Sequence, residues 1–484
     1  MSSADSNHDI PSIGITAAHS PLAKCPVQTL SPTAPGLSSH SPTTGVPTFP
    51  TYIDYDGDSI IAFQPSPTLS THSSLSSEPG EAPDDRHAQG YVDDLLATWE
   101  RRRLLLSLLM ADSNRQGLFS NELQKELETI EAQIGTILTL ILKSQDARRE
   151  ARQLTGNNAQ ALIDAIQDVL SRGTLWDAAS RSQALRLLQK VSEAEEKLPS
   201  SLFITGVNDH DEYPICRGGF SDVYRASYRG QMVALKRLRT FTADSTSKHT
   251  CLQFYREALV WQDLRHRFIL PLLGIDRTTF APAFCMVSPW MKYGTVLEYL
   301  QDHGQGEVNR LLLEIAQGLD YLHSMNVVHG DLRGANILIS NDGNACLSDF
   351  GLATTIDDVD STTGVTSTSG RAGSVKWFAP ELIDPTKFGC SKFVRTKASD
   401  VYAYACVCLE LYTQRPPFSH LRDITASLRV IEGKRPEQPP TMSVELWQLV
   451  TTAWAEDFRA RPSIDDIAVK LKSMHIQKTN STQT

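Results

Sequence analysis

The stretch VVHGDLRGANILI, residues 327–339, is an apolar run, a polar loop and a second apolar run. That pattern predicts two short strands flanking a loop. Within the loop, Asp331, Arg333 and Asn336 bring a carboxylate, a cation and a neutral metal-type ligand into six residues. Asp349-Phe350-Gly351 follows thirteen residues after Asn336, again behind a short apolar run. A lone Asp-Phe-Gly arises often by chance. Two such loops in this order and at this spacing are far more specific.

Together the His329-x-Asp331…Asn336 loop and the Asp349-Phe350-Gly351 loop resemble the catalytic and metal-binding loops of eukaryotic protein kinases. Phosphoryl transfer needs positioning and neutralisation of phosphate charge more than covalent catalysis. The resemblance implies that Asp331 accepts or orients the proton of a substrate hydroxyl. It implies ATP with Mg2+ as cofactors, the magnesium held by Asn336 and Asp349, since hard cations choose oxygen ligands. Arg333 stands two residues after Asp331, where the Ser/Thr branch of the family usually has a lysine touching the transferred phosphate. Tyrosine kinases tend to place an arginine four residues after the aspartate, and that position is Ala335. The spacing points to Ser/Thr acceptors, with tyrosine as a secondary acceptor left open.

Upstream, Ile215-Cys216-Arg217-Gly218-Gly219-Phe220-Ser221-Asp222-Val223 is placed like a kinase glycine-rich loop, with Cys216 and Ser221 where two of its glycines usually stand. Val233-Ala234-Leu235-Lys236 follows, and a helical segment then presents Glu257. By resemblance Lys236 contacts the phosphates and pairs with Glu257. Met286-Val287-Ser288-Pro289-Trp290-Met291 reads as strand and linker, matching the hinge between two lobes. Ser288 is then a small gatekeeper, Pro289 offers the adenine its carbonyl because it has no N–H, and Met291 makes backbone hydrogen bonds. The nucleotide-contacting set implied is Ile215, Cys216, Gly218, Gly219, Phe220, Ser221, Val223, Ala234, Lys236, Ser288, Pro289, Met291 and Leu338.

Downstream, the Ser/Thr-rich segment from Thr354 resembles an activation loop that ends at Ala379-Pro380-Glu381, with Ser374 in place of the threonine usual in Ser/Thr kinases. Asp400 fits the buried aspartate that braces the catalytic loop, and Arg461 fits the arginine that pairs with Glu381. Gly330 departs from the family pattern, since most kinases have an arginine there to meet a loop phosphate. Activity without obligatory loop phosphorylation is expected. The resemblance spans about residues 207–475. Its phrasing is most similar to the tyrosine-kinase-like group, and VVHGDLRGANILIS in particular to the large kinase families of mushroom-forming fungi.

The rest of the chain divides by composition. Residues 1–90 are rich in Ser, Thr and Pro, carry nine acidic against two basic residues, and are expected to be disordered. They include four Ser-Pro pairs that could be proline-directed phosphorylation sites or simply follow from the composition. The triplet Asp54, Asp56, Asp58 is not a calcium loop, because Ser59 and Pro65 stand where a glycine and a bidentate glutamate belong. Residues 91–200 switch to helix formers. Leu123, Leu127, Ile130, Ile134, Ile137 and Ile141 form an a/d seam of almost three heptads. Two further amphipathic runs, with Leu162, Ile166, Val169 and Leu170 and then Leu185, Leu188 and Val191, predict three or four helices in a bundle. The seam fits self-association or partner docking, or a bundle packed on itself. Residues 476–484 read as a polar, frayed tail.

The fold class expected is therefore α+β: a bilobal protein kinase fold, with a β-rich N-lobe and a helical C-lobe, behind a helical bundle or coiled coil and a disordered tail. Net charge −10 argues against nucleic-acid binding. No run is apolar enough to span a bilayer. The start of the chain lacks a signal-peptide pattern, and the eight cysteines form no CxxC pair. A cytoplasmic protein Ser/Thr kinase acting on protein substrates in signalling is the expectation, with the nucleus not excluded. A pseudokinase scaffold working through the helices is the alternative.

Overall fold

The computed structural model describes residues 90–112, 120–173, 175, 177–217, 221–239, 245–350, 354–355 and 375–481. The expected N-terminal tail, Gly218 to Phe220 of the glycine-rich loop, and Ser374 with most of the activation-loop segment lie outside them.

Five helices occupy the region where three or four are expected: α1 (Tyr91–Asp112), α2 (Ser120–Lys143), α3 (Gln145–Ala151), α4 (Gly156–Arg172) and α5 (Ala178–Glu195). The extra break between α2 and α3 comes from Ser144, whose side chain accepts the Ala147 N–H as an N-cap. Asp177 caps α5 in the same way, and Gly173 ends α4 in the left-handed region. On α2 the buried stripe is Ile130, Ile134, Leu138, Ile141 and Leu142, whereas Ile137 is only partly buried. The strict heptad seam therefore slips after Ile134, because a straight 3.6-residue helix rotates away from a 3.5-residue repeat. That stripe packs chiefly on α1, within the same chain. On α1, Arg102 is buried over the Trp99 ring and bonds Glu131 of α2 and Asp168 of α4. An ion-pair network thus ties three helices together.

The N-lobe sheet contains β1 (Phe203–Ile204), β2 (Val207–Asn208), β3 (Cys216–Arg217), β4 (Ser221–Tyr228), β5 (Gln231–Leu238), β6 (Gly274–Asp276) and β7 (Cys285–Pro289). Its order is β1-β6-β7-β5-β4-β2, with β3 also on β4. The sheet begins at Phe203, a few residues ahead of where the kinase resemblance starts, because β1 pairs in parallel with β6. Gly274 permits that approach: its φ is 152°, and a Cβ there would meet the Leu202 carbonyl oxygen at 2.9 Å. Tyr224, Ala226, Val233, Leu235, Cys285 and Val287 form the core on one face of the sheet. Helix α6 (Ser245–Trp261) follows β5.

The C-lobe contains α7 (Val296–His303), α8 (Val308–Ser324), α9 (Pro380–Ile383), α10 (Lys397–Thr413), α11 (Asp423–Ile431), α12 (Val444–Ala453) and α13 (Ile464–Ser481). Helix α10 is buried on every side from Ser399 to Leu411. Two short pairs, β9 (Ile337–Ile339) with β10 (Ala345–Leu347) and β8 (Val327–Val328) with β11 (Thr354–Thr355), sit at the lobe boundary. The strands expected around residues 327–339 are thus β8 and β9, though each pairs elsewhere. Helix α13 runs past residue 475 to Ser481, into the segment expected to fray, since no Gly or Pro follows to stop it. Among the described residues no helix is long and apolar enough to cross a membrane.

Candidate active site

Strand β5 sets Lys236 opposite Val223 of β4 and Met286 of β7, and Ala234 opposite Ser288. Directly paired residues project to the same side of a sheet. Val223, Ala234, Lys236 and Ser288 therefore share the face opposite the core and look toward the C-lobe. Lys236 Nζ bonds Glu257 Oε1 of α6 at 2.6 Å and Asp349 Oδ1 at 2.8 Å. Burial alone would lower the lysine, but the Asp349 and Glu257 carboxylates outweigh it and hold the ammonium above its ordinary value. The same ammonium holds Asp349 below the usual carboxylate range. Glu257 is pushed up, first by burial and, against the pull of Lys236, by the like charge of Asp349. The lysine is firmly cationic.

Asp349 itself has a φ of 63°, left-handed and costly for a residue with a Cβ. Phe350 lies 5.8 Å from the Trp261 ring of α6 and 5.6 Å from His329, centre to centre. The aspartate is thereby anchored with its carboxylate toward the lysine.

The Asp331 loop is tied to that group. Asn336 donates from Nδ2 to the Asp331 carbonyl at 2.8 Å and to its Oδ2 at 3.0 Å. Arg333 Nε lies 3.5 Å from the same carboxylate. Ser348 donates from its backbone N–H and its hydroxyl to the Asn336 carbonyl, and the charge of Arg333 also acts on Asp349. Lys236, Glu257 and Asp349 thus join Asp331, Arg333 and Asn336 in one cleft.

The other described residues of the expected nucleotide-contacting set lie on or beside β3, β4, β7 and β9. Ile215 donates its N–H to Val223, and Ile215 and Cys216 are exposed. Ser221 and Val223 are half-buried, while Gly218, Gly219 and Phe220 lie outside the described residues. At the expected hinge, Trp290 donates its N–H to Met232 and the Met291 carbonyl already accepts from Gly294. Pro289 ends β7, and Leu338 of β9 is half-buried below the linker.

Bracing comes from far along the chain. Asp400 accepts the His329 and Gly330 N–H groups at 2.8 and 2.9 Å, and a ring nitrogen of His323 lies 2.9 Å away. Arg461 forms a two-pronged pair with Glu381 at 2.6 and 2.8 Å. Sequence reasoning missed Glu410, which accepts the Gly334 N–H and the Trp377 indole N–H. Burial raises its carboxyl to about 7. A glutamate within an apolar run of α10 was the available signal. Arg395 was also missed, and donates from Nε to the Gly330 carbonyl at 2.9 Å.

The donor set suits magnesium. Asn336 and Asp349 supply oxygens only, and no group of three or more His, Cys, Asp or Glu able to hold a metal occurs among the described residues. A magnesium ion held by these two oxygens would leave its remaining positions to water and phosphate.

A sheet-rich lobe over a helical lobe, with a lysine–glutamate–aspartate cluster above a braced Asp/Asn loop, defines a phosphotransfer-type bilobal fold. The family model described as protein tyrosine and serine/threonine kinase matches residues 211–471. The chain belongs to that protein kinase family. It is 29% identical over 269 residues to the serine/threonine-protein kinase STY46 of Arabidopsis thaliana, covering 54% of this chain and 43% of the relative. It is 30% identical over 339 residues to the dual specificity protein kinase pyk3 of Dictyostelium discoideum, covering 66% and 23%. To the mitogen-activated protein kinase kinase kinase A of the same organism it is 29% identical, covering 52% and 26%. The chain spans less than half the length of each of these relatives.

Proposed function

We propose that the chain is an ATP-dependent protein kinase that transfers the γ-phosphate to Ser and Thr hydroxyls of protein substrates in intracellular signalling. The names of two relatives, a serine/threonine-protein kinase and a dual specificity protein kinase, support that acceptor class. We place it in the tyrosine-kinase-like group, resembling the fungal expansions of that group, on the motif phrasing. The observation that carries the reading is the double engagement of Lys236 by Glu257 and Asp349.

Each residue then has a task. Lys236, kept charged by its carboxylates, neutralises phosphate oxygens. Asn336 and Asp349 hold magnesium, which when bound spreads the charge developing on the phosphates. Asp331, oriented by Asn336, takes the proton of the incoming hydroxyl, and Arg333 beside it steadies the transferring group. Ser288, Pro289, Met291 and Leu338 receive the adenine, and the β3–β4 hairpin covers the phosphates. The scaffold reading has Cys216, Ser221 and Gly330 on its side, against the retained Lys236, Glu257, Asp331, Asn336 and Asp349, for which a scaffold has no chemical need.

The test is incubation with labelled ATP and magnesium, wild type beside Asp331→Ala, with casein as acceptor. Removing a positioned catalytic carboxylate should cost about a hundredfold or more. Label on the wild-type reaction should appear as phosphoserine and phosphothreonine. Equal incorporation by both proteins, or none by either, would sink the proposal.

A further inference from the structure

Helix α6 has two working faces. Toward the cleft it presents Glu257 to Lys236 and the Trp261 ring to Phe350. Arg256, then Leu259 and Val260 three and four residues on, with Asp263 just past its end, lie on another side. There they share a cavity wall with Arg181, Leu185 and Leu188 of α5. The N-terminal bundle thus lies directly on the helix that carries the active-site glutamate.

The contacts at this seam are polar as well as apolar. Arg256 clasps Glu193 of α5 through two nitrogens, Nε to Oε1 at 2.6 Å and Nη2 to Oε2 at 3.2 Å. Gln262 donates to Gln167 of α4 at 2.7 Å, both side chains buried. Gln167 in turn donates to Asp263 at 3.3 Å, and Arg181 lies 3.7 Å from the same carboxylate. Burial would push Glu193 up, but hydrogen bonds from Arg256 and Gln189 outweigh it and keep its carboxyl below the usual range. Around these pairs Leu187, Leu188 and Val191 of α5 are buried in the same apolar cluster as Phe254, Tyr255 and Leu259 of α6.

Arg256 and Glu257 are adjacent on a rigid helix, about 100° apart around its axis. Any slide or roll that frees one moves the other. A two-pronged guanidinium–carboxylate pair fixes orientation as well as distance, which a single contact does not. The Glu257–Lys236 bond, at 2.6 Å, survives a shift of only about an ångström.

We propose that the N-terminal bundle is an intramolecular clamp on α6, with Glu193, Arg256, Gln167 and Gln262 as positioning residues that hold Glu257 on Lys236. This rests on the kinase reading for its catalytic consequence, but the clamp itself is a structural relation with its own readout. The helical region then sets catalytic competence from within the chain, and a signal that lifts α5 off α6 lowers phosphotransfer without touching the nucleotide cleft.

The test uses the full chain in four forms: wild type, Glu193→Arg, Arg256→Glu and the double charge swap. Each single variant should lower kcat about tenfold, since small misplacements of catalytic groups are expensive, with the KM for ATP changed less than about threefold. The double variant should recover to within about threefold of wild type. Hydrogen exchange across residues 251–262 should quicken in the singles and return in the double. A change confined to general stability would instead quicken exchange throughout the chain, without singling out residues 251–262. If a charge reversal fails to fold, Glu193→Gln should still lower kcat about threefold and quicken that exchange. Unchanged kcat and exchange in the singles, or a loss that the swap leaves in place, overturns the clamp. Should wild type show no phosphotransfer, the kinase reading falls, and the exchange comparison alone decides the clamp: no quickening overturns it.

Discussion

At the scale of single residues, two carboxylates in this protein do different jobs. Asp349 is drawn below its usual range by Lys236, so it stays ionised wherever the protein works. Glu410 goes the other way, raised by burial from 4.5 to about 7 although it accepts two N–H groups. Because the folded state keeps that proton to higher pH than the unfolded chain, Glu410 favours folding most below the unfolded value. Its contribution declines as pH rises from about 4.5 through about 7 and is level above. At about 1.4 kcal/mol per unit, the decline is roughly 3 kcal/mol. Glu410→Gln keeps an acceptor oxygen for Gly334 and Trp377 but has no proton to lose. Melting curves of both proteins from pH 5 to 8 should show the wild type losing ground against the variant as pH rises. Parallel curves would refute the assignment.

At the scale of elements, the outcome depended on which signals are local. The Asp331 loop, Lys236, Glu257 and the Asp349 loop were legible because phosphoryl transfer demands particular residue types at short spacings, and the geometry brings all of them to one cleft. The pairs Asp400–His329 and Arg461–Glu381 were also readable, each half lying inside its own motif. Glu410 was not, since its partner Gly334 lies 76 residues away, and its place in the apolar run of α10 marks a buried carboxylate without naming what it holds. The α6–bundle contacts escaped for the same reason, as Gln167 and Gln262 look like ordinary surface amides in sequence. The α2 seam was half right, for apolar spacing reveals that a stripe exists but not where a straight helix turns it. That slip is measurable. Leu138 is fully buried and Ile137 is not. Leu138→Ala should therefore cost about 2–4 kcal/mol in denaturant unfolding, and Ile137→Ala clearly less. The reverse order would restore the strict heptad and favour a coiled-coil partner.

At the scale of the molecule, one apolar cluster runs from Val92 and Leu95 of α1 through α6 to the helices of the C-lobe, and the bundle shares polar pairs with the helix that lines the cleft. Binding at one end of such a connected body must be felt at the other to the extent that it orders α6. Affinity and order are linked reciprocally: if a seated α5 favours the Glu257–Lys236 pair, a nucleotide that needs this pair favours a seated α5. At a hundredfold excess over its Kd, a ligand stabilises the state that binds it by about 2.7 kcal/mol. Local opening of α5 that passes through an α6-disordered state should be suppressed by a comparable factor, on the order of a hundredfold in exchange rate. A magnesium complex of a non-hydrolysable ATP analogue should thus slow hydrogen exchange in residues 178–195, which lie on the bundle rather than in the nucleotide cleft. In the Glu193→Arg protein the same ligand should leave those amides unchanged, because the path has been cut while the nucleotide site is intact. Equal slowing of α5 in both proteins would mean that the bundle is stabilised by some other route than its grip on α6.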